Sequence, residues 1–212
     1  MTSLKNIEKS YDRIARKWTE AFANEHARKR KDREMLQLFA SQLQNRGRVV
    51  DIGCGPGNTL GFLADLSVDV AGLDLSRNLV VAAKQRFPGI PFFRGDMMAL
   101  PFGDGALDGI ACFYGIVHFT GEQIQRAFRQ AYRALNGGGL FLLTFHVGNE
   151  CIHLAEFMGE TVDVDFYLYP SEEIVAHLQA VGFVEMAVVE RDPYPDGEYA
   201  SRRAYVIAQK TR

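Results

Sequence analysis

Asp51, Asp74 and Asp96 recur at intervals of about twenty residues, each directly after an apolar run, and each is placed to hold a polar ligand. The first of them is the most informative. Val49-Val50-Asp51-Ile52 reads as a strand that breaks into Gly53-Cys54-Gly55-Pro56-Gly57 before a helix-forming stretch from Asn58 to Leu66. A carboxylate at the carboxyl end of such a strand can take the cationic or hydroxyl-bearing part of a ligand. The glycines let the backbone turn sharply and approach it. The free N–H groups and positive dipole end of the following helix face the same spot.

A dinucleotide fingerprint, G-x-G-x-x-G, requires its third glycine at position 58, which is Asn58; here the third glycine is Gly57. The acid followed by G-x-G-x-G instead resembles motif I of the class I S-adenosylmethionine-dependent methyltransferases, small-molecule type. Later segments extend the resemblance. Val68 to Ser76 reads as a second strand with Asp74 at its end, where a carboxylate accepts from ribose hydroxyls in either cofactor class. Ile90 to Gly95 reads as a third strand, and Asp96-Met97-Met98 after it resembles the family's adenine segment. Leu107 to Tyr114 resembles motif IV, followed by Gly115 to Phe119 like an active-site loop. A helix Glu122 to Leu135, a stop at Asn136-Gly137-Gly138-Gly139 and a fifth strand Leu140 to His146 complete it. Four motifs in order over 49–146 are far more specific than one glycine pattern.

The resemblance implies an α/β fold: a doubly wound, Rossmann-like, seven-stranded sheet with its last strand antiparallel and an N-terminal helical cap. It implies S-adenosylmethionine as cofactor, with S-adenosylhomocysteine as product. Asp51 and the turn Gly53, Cys54, Gly55, Pro56 and Gly57 would hold the methionine end. Asp74 with Leu75 would hold ribose, Asp96, Met97 and Met98 adenine, and Phe113 would line the site. Tyr11 and Trp18, in a segment resembling the family's N-terminal lid, would close over it. His118, with a reference pKa near neutrality, is the candidate base, and Tyr114 a second polar group beside it.

The rest of the chain chooses the acceptor. Two helical patterns, Leu4 to Ala23 and Arg28 to Gln44, form the cap over 1–48. Residues 147–170 read as an irregular insertion that roofs the pocket, with a short helix over Cys151 to Met158. Residues 171–212 supply a helix capped by Ser171, a strand Val184 to Glu190, a turn-rich linker Asp192 to Tyr199 and a final strand Arg203 to Gln209. Tyr167 in the roof and Tyr199, Arg202 and Arg203 near the linker are candidates for acceptor binding, the arginines being suited to a carboxylate or phosphate.

At 212 residues the chain allows one α/β domain. No apolar stretch reaches the ~18 residues of a membrane span and the polar start lacks a signal-peptide core, so a cytoplasmic protein is expected. Cys54, Cys112 and Cys151 are too scattered for a disulfide framework. His146, His153, Asp163 and Asp165 lack a compact ligand motif, and no metal is expected. Residues 1–48 hold 12 basic and 6 acidic side chains, concentrated in His26 to Arg33. That run has no aromatic interleaving and the whole chain carries −2, which argues against nucleic acid. The cap and insertion would bury a modest ligand, so a small-molecule acceptor is expected. A nicotinamide-dependent oxidoreductase and a non-catalytic S-adenosylmethionine-binding regulator are the alternatives. The sequence gives no sign of oligomeric state.

Overall fold

A computed structural model describes residues 2–43, 47–195 and 198–212. The chain forms α1 (Leu4–Phe22), α2 (Glu25–Arg28), α3 (Arg30–Gln42), β1 (Arg48–Ile52), α4 (Asn58–Asp65), β2 (Asp69–Asp74), α5 (Arg77–Arg86) and β3 (Phe92–Arg94). A short 3-10 turn (Met97–Ala99) follows, then β4 (Leu107–Phe113), α6 (Gly121–Ala134), β5 (Leu135–Val147), β6 (Cys151–Phe157), β7 (Glu160–Tyr167), α7 (Ser171–Val181), β8 (Phe183–Arg191) and β9 (Arg202–Lys210).

Seven strands make one sheet in the order β3-β2-β1-β4-β5-β9-β8. β1 to β5 are parallel, and β9 runs antiparallel to both β5 and β8. This is the expected doubly wound sheet. Its strands are apolar on both faces because each face is covered. On β5, Phe141, Leu143 and Phe145 enter the core under α6 and α7, while Leu140 and Leu142 enter the core under α3, α4 and α5. The strand order reverses between β1 and β4, so a crevice opens beyond their carboxyl ends.

The insertion is a correction to the sequence reading: 147–170 forms the β6–β7 hairpin, with no helix over Cys151 to Met158. Ile152 and Leu154 alternate with polar neighbours, as do the buried Val162 and Val164, which is a period of two. Met158 and Gly159, at φ 55° and 71°, make the two-residue turn that suits a tight hairpin.

The cap and the hairpin are joined by a ladder of side chains along one face of α1. The Thr2 N–H donates to Asp165 (2.8 Å), Asn6 bonds Asp163, and Ser10 accepts from the Asp163 N–H (3.0 Å). Arg13 bonds the Thr161 carbonyl, and Lys17 pairs with Glu160 (2.7 Å). These positions recur every three or four residues, one face of a helix, and they descend β7 in order. Beneath them Ile7 and Ile14 pack on Val162 and Val164. On the core side, Asp12 accepts from Ser76 and from the Asn78 N–H (2.9 Å).

Smaller differences have local causes. Ser171 is the first helical residue rather than the cap, which is Pro170, because its hydroxyl donates to Glu190. Asn136 to Gly139, read as a stop, is the start of β5. The second predicted helix begins at Arg30, with α2 a separate turn; Gln44 lies outside the described residues, as do Asp196 and Gly197 of the linker. No helix among the described residues is long and apolar enough to cross a membrane.

Gly72, central in β2, has no room for a side chain: an added Cβ would sit 2.5 Å from the Phe92 ring and 2.8 Å from Cys54 Sγ. Gly72→Ala is expected to lower unfolding stability by about 1–3 kcal/mol through overpacking, measured by urea denaturation.

Candidate active site

The glycine turn is tied to the neighbouring strand. Gly53 and Cys54 N–H both donate to the Leu73 carbonyl (2.7 and 3.1 Å), so the chain leaving β1 is held against the end of β2. Gly55 and Gly57 then take φ of 51° and 87°, which carry the backbone into α4. The Gly55 N–H donates to Asp74 Oδ2 (2.8 Å), and the Ser76 N–H donates to Oδ1 (2.8 Å). Burial raises the Asp74 carboxyl to about 6 despite these donors. Asp51 is 1% exposed, and its Oδ1 has no hydrogen-bond partner. Burial first, and then the charges of Asp74 and Glu25, push it well above the usual carboxylate range. Asp96 caps the 3-10 turn by accepting from the Met98 N–H (2.8 Å).

All three acids open onto one cavity of about 790 Å³ over the carboxyl edge of the sheet. Of the residues singled out in the sequence, its wall contains Asp51, Gly53, Cys54, Gly55, Pro56, Asp74, Leu75, Asp96, Met97, Phe113, Tyr11, Trp18, Tyr114, His118, Tyr199 and Arg203. Four fall elsewhere. Gly57 faces the Phe92 and Phe87 rings, and Met98 sits in the core under α6. Tyr167 stacks on Tyr169 with centroids 6.2 Å apart. Arg202 pairs with Glu190 (2.8 Å) at the surface. Arg202 and Arg203 are consecutive in β9, so they point to opposite faces and only Arg203 turns to the cavity.

His118 is fixed by two bonds. Nδ1 lies 2.8 Å from the Asp165 carbonyl, which can only accept, so Nδ1 carries the proton. Nε2 is then the acceptor of the Tyr11 hydroxyl at 2.8 Å. Burial holds the imidazole down at about 4, and it is neutral at physiological pH. The base candidate thus has its lone pair engaged by the lid helix.

Tyr114 follows β4 in the left-handed region, φ 56°, with its N–H donating to the Thr144 carbonyl (3.1 Å). A non-glycine residue is uncommon in that region. Its hydroxyl is buried without a partner, and its ring lies 5.1 Å from that of His146.

The sequence reading missed a polar end to this cavity. Lys29, read as part of a solvated basic run, turns inward with 15% of its side chain exposed, between Glu25 (2.9 Å) and Glu198 (3.7 Å). The Glu25–Lys29 spacing of four residues was the available signal. His146 lines the same end, its Nδ1 against Ser201 Oγ (2.7 Å); burial, then Arg203 and Lys29, hold it at about 4. His153 pairs instead with Asp165 (2.9 Å) on the hairpin, away from His146. Among the described residues no group of three or more histidines, cysteines or acids is placed to hold a metal ion.

Comparison with known proteins agrees with this geometry. Residues 49–139 match the family model of a methyltransferase domain. An uncharacterised methyltransferase, YcgJ, of Bacillus subtilis is 30% identical over 129 residues, covering 58% of this chain and 50% of that protein. Demethylmenaquinone methyltransferase of Beutenbergia cavernae is 39% identical over 69 residues, covering 32% and 29%. The chain spans about half the length of the curated relatives it matches. A solved S-adenosylmethionine-dependent methyltransferase from Methanosarcina mazei shares the fold, with a TM-score of 0.74 at 17% identity over 82% of this chain and 97% of that one. The glycine turn, the strand-end acids and the sheet order thus accompany a match to a methyltransferase domain over residues 49–139, in a chain similar to S-adenosylmethionine-dependent methyltransferases.

Proposed function

We propose that this chain transfers a methyl group from S-adenosylmethionine to a small-molecule acceptor. The observation that carries the reading is the buried Asp51 carboxylate, whose Oδ1 has no partner in the protein. A buried, unpaired carboxylate costs several kcal/mol unless a cation meets it, so its persistence calls for a cationic ligand group. The ammonium of the cofactor's methionine part answers that need. The Asp74 oxygens, each holding one backbone N–H, keep lone pairs for two ribose hydroxyls. Asp96 and the Met97 N–H are left for adenine. When bound, the cofactor supplies a methyl group on a positively charged sulfur, open to in-line displacement by a nucleophile.

The protein's own contribution is then position and exclusion of water. Orientation alone can supply about 7–11 kcal/mol. Trp18 and Phe157, with ring centroids 5.8 Å apart, close lid against hairpin over the cavity. His118, neutral and donating from Nδ1, accepts at Nε2 a proton relayed through the Tyr11 hydroxyl. A group held near 4 is a weak base, which favours acceptors that need little deprotonation.

A small acceptor is supported by the enclosure of the cavity under α1 and the hairpin, and by demethylmenaquinone in the name of the Beutenbergia relative. Nucleic acid is opposed by the engagement of much of the basic run by the protein's own groups, with Arg30 still exposed. Lys29 faces the cavity, Arg30 and Lys31 pair with Glu34, and Arg33 holds the His26 and Ala27 carbonyls. Three free thiols suit a cytoplasmic location, and we read the chain as one working unit of cap, core and hairpin.

Calorimetric titration is expected to show binding of S-adenosylmethionine and S-adenosylhomocysteine and none of NAD; binding of NAD alone would overturn the reading. Asp51→Asn should weaken S-adenosylhomocysteine about 10–150-fold, the worth of a charge-assisted hydrogen bond. The same substitution should raise the melting temperature of the free protein by about 2–4 °C per kcal/mol gained, because a carboxyl pushed up by burial costs the fold stability at pH values above its unfolded-state pKa.

Affinity should also depend on pH. The Asp74 carboxyl of the free protein titrates near 6, and ribose hydroxyls favour its ionised form. Affinity is therefore full above that value and falls as pH drops through it, approaching tenfold per unit, and Asp74→Asn should flatten the profile. By nuclear magnetic resonance the His118 ring should remain neutral, with its proton on Nδ1, from pH 8 down to 5.5. Protonation near 6.5 would show that the ring is not buried in solution.

A further inference from the structure

Arg203 is 3% exposed, lines the cavity, and is only partly used. Its Nη1 donates to the Tyr199 and Ser201 carbonyls and approaches Ser201 Oγ at 3.4 Å. Nε has no hydrogen-bond partner, and among the described residues none is formed by Nη2. Nε–H and one Nη2–H form the parallel pair of donors with which a guanidinium grips a carboxylate.

The nearby carboxylate does not use that edge. Glu198 lies 3.7 Å from Nε, beyond hydrogen-bond range, and both its oxygens are committed. Arg191 takes them bidentately (2.6 and 2.8 Å), and the Tyr194 N–H donates to one of them (2.8 Å). A buried guanidinium that lines the cavity therefore keeps an Nε–H without a hydrogen-bond partner. The Tyr114 hydroxyl, also buried and unpartnered, belongs to the same end, since its ring packs on His146, the β5 residue paired with Arg203.

We propose that the methyl acceptor carries a carboxylate, gripped on the Nε–Nη2 edge of Arg203 with the Tyr114 hydroxyl as a further donor. This rests on the methyltransferase reading above. The cofactor also has a carboxylate, but position favours the acceptor. Arg203 lies on β9, three strands from β1 across β4 and β5, or about 14 Å at the usual strand spacing. The cofactor's amino-acid part is held at β1 by Asp51. His146 is held down chiefly by burial, and the charges of Arg203 and Lys29 add to that.

The test titrates protein saturated with S-adenosylhomocysteine against acetate, benzoate and phenylacetate and their primary amides. At least one carboxylate should bind tenfold or more tightly than its amide, and Arg203→Met should lose that preference. Arg203→Lys keeps the charge without the bidentate edge and should retain part of it; it serves if the methionine variant fails to fold. Equal binding of acids and amides would overturn the proposal. So would a tenfold loss of S-adenosylhomocysteine affinity in Arg203→Met with 5′-methylthioadenosine unaffected, which would assign the arginine to the cofactor's own carboxylate. Failure of wild-type protein to bind S-adenosylhomocysteine removes the methyltransferase reading itself, and this proposal with it.

Discussion

Two carboxylates buried side by side without a cation are the constraint on which the rest of this structure depends. Asp51 lies one residue before the end of β1 and Asp74 ends β2. The register pairs Asp51 with Gly72, two residues from Asp74, and each carboxyl is buried, so the charge of Asp74 acts on Asp51. Such an arrangement opposes folding unless something holds it. Backbone N–H groups of the glycine turn and of the start of α5 do so for Asp74, which is why the turn must pass so close. Asp51 lacks comparable help at Oδ1 and keeps its need for a cation.

Enclosure follows from the same need, because these charges act strongly only where water is excluded. The sheet provides a floor but no lid. α1 and the β6–β7 hairpin provide one, zipped together by contacts spaced for a helix on one side and a strand on the other. Tyr11 then links the lid to His118 on the loop after β4. The placement of the lid and the tautomer of the histidine are therefore one structural fact.

The far end of the cavity is organised differently, by competition among charges. Arg191 holds Glu198 closely, which leaves Glu198 at 3.7 Å from Arg203 Nε and that N–H without a hydrogen-bond partner. Strand alternation leaves Arg202 to the surface and turns Arg203 inward. β9 and the segment before it lie outside residues 49–139, the part of the chain that the family model matches.

The sequence by itself determined the sheet, the glycine turn and the acids Asp51, Asp74 and Asp96. Each of these is set by a strand end and the turn after it, over a few neighbouring residues. It also located Tyr114, His118 and Arg203, though not their partners. Tertiary structure alone decided that Tyr11 meets His118 across 107 residues, that Lys29 turns inward, and that Glu198 is taken by Arg191. It also made 147–170 a hairpin, because the alternation of Val162 and Val164 has meaning only once α1 covers one face. Local periodicity encodes where a side chain sits along its element. What that side chain meets depends on which elements pack together, and the sequence around any one residue does not carry that information.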